Sequence, residues 1–195
     1  MHWLQGVHSS LSSYTLSHNV DIKFIDIPAT TCPSQTLLEN TCPEATVFRL
    51  NNSNAFIHAR LTDANTVLEL RHLTWLEKND NPFSCPRNMR LQIRVSATLL
   101  PVIRFTQDSE TLWCYVLSAN NYFVRIRIPV KTMFLTPLPG KFYSIQQLDQ
   151  HIMPVTFDVV SSAQAIIACE NGSLIYLYDS YNGQRENSML MDLFQ

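Results

Sequence analysis

The chain has 195 residues and sets 14 Lys plus Arg against 16 Asp plus Glu, a formal charge of -2 that makes no global electrostatic case for nucleic acid. Hydrophobic residues make up 46% and mean hydropathy is -0.04, which excludes wholesale disorder, and no apolar run reaches the roughly 18 residues that a spanning helix needs. Cys32, Cys42, Cys85, Cys114 and Cys169 form no C-x-x-C and no close Cys/His pair, and no basic-then-apolar leader opens the chain, so it reads as intracellular with free thiols.

Residues 1–20 contain no acidic, Lys or Arg side chain and are rich in Ser. Wound as a helix, Trp3, Leu4, Val7, Leu11 and Tyr14 form one stripe, with Ser9, Ser12 and Ser13 largely opposite. An apolar stripe backed by an uncharged Ser face is the pattern of helices that insert at curved membranes. Trp3, Leu4, Val7 and Leu11 are therefore the candidate membrane contacts, with packing against the following domain as the plainer alternative.

Residues 21–195 read as one mainly β unit. DIKFIDIPA is a strand ended by Pro28, and residues 29–45 form a loop with one helical turn around SQTLLEN. TVFRL and AFIHARL flank the turn NNSN, and DAN leads into TVLELRHLTW. After the charged loop LEKNDNPFSCPRN come MRLQIRV, PVIRF and the hairpin LWCYVLSANNYFVRIRIPV. A Pro-rich link and a short helix over YSIQQLDQHI precede a last hairpin, AIIACENGSLIYLYD. The turns need little glycine: there are 4 Gly but 14 Asn, and Asn tolerates the left-handed backbone of tight reversals.

The last hairpin is apolar on both alternating faces, whereas a sheet with one wet face alternates apolar with polar. Hairpin turns recur 51 residues apart, at 120–121 and 171–172, near the blade length of β-propellers. Radial stacking covers each blade on both faces, and a β-sandwich does not. The pattern thus predicts propeller blades, with Ile166, Ile167, Leu174, Tyr176 and Leu177 mostly buried in the full ring. At about 50 residues per blade the chain holds about four at most, and its irregular first 45 residues lower that number, so a ring of the usual 4–8 blades is expected to close only in a longer protein.

No constellation carries chemistry. HSSLSSYTLSH brings Ser near His8 and His18, but there is no G-x-S-x-G elbow and no orienting acid. His2 with His8, and His58 with His72, lack close spacing and carboxylate partners for a metal. PLPGK falls far short of a phosphate-binding loop. No catalytic, metal or cofactor-binding residue is therefore assigned, and no small-molecule substrate is expected. Arg87, Arg90, Arg94, Arg125 and Arg127 are concentrated in RNMRLQIRV and VRIRI. On a strand Arg125 and Arg127 share a face, which makes them the candidate partner contacts. The alternatives are an Arg-solubilised outer strand and, with Tyr122 and Phe123 as stacking platforms, RNA.

Four segments in order, TVLELRHLTW, MRLQIRVSATLLPVIRF, LWCYVLSANNYFVRIRIPV and AIIACENGSLIYLY, resemble the N-terminal propeller of the nucleoporin 160/nucleoporin 120 family, over roughly residues 66–178. An Arg-containing strand runs through a small-polar stretch to a Leu-Leu-Pro element at residues 90–101. A later strand places Phe123, Arg125 and Pro129 where the family has an aromatic, an Arg and a Pro. The resemblance implies the N-terminal blades of a seven-bladed propeller, cut before ring closure, followed in the family by a long helical domain. It implies a non-enzymatic scaffold of the nuclear pore outer ring at the nuclear envelope, supporting mRNA export and protein transport. Its expected partners are other outer-ring nucleoporins and the curved nuclear membrane, with no cofactor and no direct nucleic-acid binding. A generic propeller adaptor for protein–protein interaction and a small β-barrel binding protein are the alternatives.

Overall fold

A computed structural model describes residues 21–28, 45–51, 53–75, 83–84, 90–132 and 142–178, and every regular element among them is a strand. The first sheet holds β1 (Asp21–Ile25), β2 (Ala45–Arg49), β3 (Ala55–Thr62), β4 (Val67–Trp75), β5 (Phe83–Ser84) and β6 (Arg90–Val95). Its order is β1-β6-β4-β3-β2, with β5 beside one end of β4; only the β1–β6 pair is parallel. The second sheet is an antiparallel run of β7 (Leu99–Gln107), β8 (Thr111–Ser118), β9 (Tyr122–Pro129) and β10 (Tyr143–Gln147). The third holds β11 (Pro154–Ser161), β12 (Gln164–Cys169) and β13 (Leu174–Tyr178), also antiparallel.

The three sheets stack in chain order because the middle one is apolar on both faces. Along β8 and β9, Leu112, Cys114, Val116, Val124 and Ile126 pack with Ile57, Leu70 and Ile93 of the first sheet. The intervening Tyr115, Leu117 and Phe123 pack instead with Phe157, Ile167 and Leu177 of the third. Period-two alternation thus sends each strand's side chains into two separate cores. Phe123 stacks on Tyr115 at 6.0 Å between ring centroids and meets Phe157 edge-on at 5.3 Å. The flanking sheets bury one face each, so β3 alternates buried with half-buried and β12 does the same in the opposite phase. This is the layering of successive propeller blades, and among the described residues no sheet closes on itself.

A repeated set of backbone hydrogen bonds ties each sheet to the next. The Leu99 N–H donates to Asn65 O in the β3–β4 turn, and the Leu148 N–H donates to Asn121 O in the β8–β9 turn. In each link a carbonyl also accepts from the following sheet: Thr98 O from the Ala119 N–H, and Met153 O from the Glu170 N–H. The turns themselves need left-handed backbone. Asp63, Ala64 and Asn65 have φ of 52°, 53° and 61°, Asn121 has 65° and Gly172 has 83°. Asn121 holds its place with its side chain, whose amide donates to Asp149 O at 3.1 Å and Ile152 O at 2.7 Å. The 51-residue recurrence read from the sequence is therefore structural: Asn121 and Gly172 occupy the same turn of neighbouring sheets.

Two expectations change. The helix expected over YSIQQLDQHI is strand β10, followed by a turn, because Ile145 pairs with Val124 on the open edge of β9. Strand β11, not anticipated at all, opens with Pro154, where a missing N–H costs the ladder least. Within this chain, burial on both faces is seen in the β8–β9 hairpin, and the last hairpin has one face buried, its full-ring environment lying beyond these three sheets. In that last hairpin Ile167 and Leu177 are fully buried, while Ile166, Leu174 and Tyr176 are half-buried on the outward face of the third sheet.

A candidate docking face on the first sheet

Of the sequence-predicted contacts, Trp3, Leu4, Val7 and Leu11 lie outside the described residues. Arg125 and Arg127 do share a face of β9, the one turned toward the third sheet. Arg125 is buried there, and Arg127, opposite Trp113, is exposed. His58 and His72 sit on opposite faces of the first sheet, since His58 pairs with Arg71 and His72 with Ile57. Among the described residues no three His, Cys, Asp or Glu side chains converge as metal ligands. Cys114 and Cys169 are free and buried, and burial pushes both thiols up, opposed at Cys169 by a hydrogen bond from Ser173. Both are poor nucleophiles.

The outward face of the first sheet gathers the charge. Strand register sets the rows: Gln92, Glu69, Arg60 and Ala45 in one, Arg90, Arg71, His58 and Val47 in the next. Arg94 stands beside Phe24 and Val67 on one side of these rows, and Arg49 beside Phe56 on the other. Five arginines thus share these paired rows with Glu69, the one acid in them among the described residues, while the exposed Asp26 follows two residues after Phe24.

Glu69 is only 1% exposed. Its Oε1 accepts from Arg71 Nε at 2.7 Å and Arg60 Nε at 3.0 Å, and the same oxygen pairs with Nη2 of both guanidiniums. Its Oε2 accepts from Arg90 Nη2 and, at 3.1 Å, from Gln92 Nε2. Burial alone would raise this carboxyl; the Gln92 hydrogen bond and the charges of Arg71, Arg60 and Arg90 outweigh it and hold the pKa at about 2. Desolvation also lowers His58, helped by Arg71 and Arg60 and opposed by Glu69, so the imidazole stays neutral near neutrality. Arg90 Nε is buried with no hydrogen-bond partner among the described residues.

The sequence reading singled out Arg90 and Arg94 but missed this cluster. The available signal was the hairpin: a tight turn after Thr62 sets Arg60 opposite Glu69 and His58 opposite Arg71. A separate depression of about 550 Å³ between Arg49, Leu50, Asn51, Ser53 and Asn54 is shallow, open and polar. It lacks the apolar enclosure of a small-molecule site.

No family model matches the chain, and no curated protein matches it in sequence. Among solved structures it is similar to the β-propeller domain of Nup133 from Vanderwaltozyma polyspora, at 16% identity and a TM-score of 0.40. The match covers 63% of this chain and 35% of that one, so this chain spans about a third of its length.

Proposed function

We propose that the chain supplies early blades of a β-propeller in a non-enzymatic scaffold of the nuclear pore outer ring, where its output is position rather than turnover. The observation that carries the reading is the middle sheet, covered on both faces by the sheets before and after it in the chain. Radial stacking of this kind leaves loops, edges and end faces as the working surfaces. The ordered resemblance of four segments to the nucleoporin 160/nucleoporin 120 propellers supports the more specific assignment. On that reading the partners are other outer-ring nucleoporins, and the N-terminal stripe of Trp3, Leu4, Val7 and Leu11 meets the curved nuclear membrane. The polar clusters of the structure fit a scaffold, because Glu69 and its arginines are engaged with one another.

The test is the location and company of the full-length protein. Tagged at either end, it is expected at the nuclear rim and to co-purify with outer-ring nucleoporins. A diffuse cytoplasmic signal without rim staining removes the pore assignment and leaves a propeller adaptor acting elsewhere.

A further inference from the structure

The two end faces of the stack differ in chemistry. The outward face of the third sheet presents Ile166, Ala168, Leu174 and Tyr176 on β12 and β13, with Thr156 and Asp158 beside them on β11. The outward face of the first sheet presents arginines instead. We propose that this face docks an acidic polypeptide segment of another protein, one that alternates carboxylates with apolar side chains. This inference does not depend on where in the cell the protein resides.

Three observations carry it. Charge comes first: three guanidiniums surround one carboxylate, and the exposed Arg49 and Arg94 add to the surplus, while the chain as a whole is slightly negative. The surplus is therefore local and held on a rigid sheet, where complementary charge sets partner choice and encounter rate. The second is Arg90, whose side chain keeps 24% of its surface exposed beside Glu69, so part of its guanidinium stays open to a carboxylate laid over the face. The third is apolar: Phe24 is 69% and Val47 59% exposed at opposite sides of the arginine rows. A partner segment that alternates carboxylates with apolar residues meets the guanidiniums and the apolar positions together. Pairing like this, with charged groups flanked by apolar anchors, is how a polar face gains both orientation and affinity.

The experiment uses the full-length protein and a short labelled peptide alternating Glu with Leu and Phe, with a Glu-only peptide and single-stranded oligouridylate as comparisons. Arg49 and Arg94 make no ion pair to Glu69, so the double substitution R49E/R94E leaves the cluster intact. It is expected to weaken the mixed peptide roughly tenfold or more with an unchanged melting temperature, and added salt is expected to weaken the wild-type complex. Reversal at Arg127, exposed on another sheet, is expected to change little. Equal losses from R127E and R49E/R94E would mean that net charge and not this face governs binding, which overturns the proposal. So would preference for oligouridylate over the mixed peptide, or no salt-sensitive binding at all, the result expected if another part of the same chain covers the face.

Discussion

Glu69 concentrates the electrostatics of the first sheet in one carboxylate, and its environment fixes how the protein responds to acid. Its pKa lies at about 2 in the fold against an ordinary value of 4.5. The native state therefore binds this proton less tightly than the unfolded chain. The corresponding stability is complete above about pH 4.5 and is lost as pH falls toward 2. The lowered His58 and His72 act in the same direction at higher pH, each eroding stability as pH drops below the ordinary imidazole value of 6.5. Glu69→Gln leaves three arginines around a neutral amide and is expected to cost about 3 kcal/mol at neutral pH. Denaturant titrations at several pH values check this: the variant should lose the Glu69 part of the decline between pH 4.5 and 2 while keeping the histidine-linked decline above it.

At the scale of the strand, burial on alternate positions gives a sharp contrast between neighbours. Ile167 is fully buried in the core shared by the second and third sheets, while Ile166 points to the outward face of the third. In the 195-residue chain alone, Ile167→Asp is expected to cost several kcal/mol by placing an unpaired charge among apolar side chains, and Ile166→Asp about 1 kcal/mol or less. Equal effects in thermal melts would mean that both faces of β12 are buried in solution. The β8–β9 and β12–β13 hairpins were legible in the sequence because each joins apolar runs through a turn residue that accepts positive φ. Strand β10 was not, since the spacing of Ile145 and Leu148 suits a helix as well, and only the open edge of β9 decides it. The Glu69 cluster was hidden for a related reason. Its members come from β3, β4 and β6, and the β4–β6 register joins Glu69 to Gln92, 23 apart in sequence, a distance over which local spacing fixes nothing.

For the whole molecule, the outward face of the third sheet is covered by no described residue: Tyr176 and Ile166 share a row with Asp158, Leu174 and Ala168 share one with Thr156, and Val160 and Tyr178 are 63% and 47% exposed. Exposed apolar sheet surface favours self-association. The 195-residue chain by itself is therefore expected to associate as concentration rises, and Val160→Lys with Tyr178→Lys to reduce it. Light scattering over a dilution series checks both; a monodisperse monomer at every concentration would show that the face is covered in solution. The links between sheets bear on mechanics. Each is fastened at one end to the hairpin turn behind it and at the other to the turn ahead, through Asn65 and Ala119 at the first junction and Asn121 and Glu170 at the second. Neither link can lengthen or swivel without breaking a bond to a turn that is itself held in left-handed backbone. The stack is thus a stiff spring with a fixed pitch, and a load applied at one sheet reaches the next as strain instead of being absorbed between them.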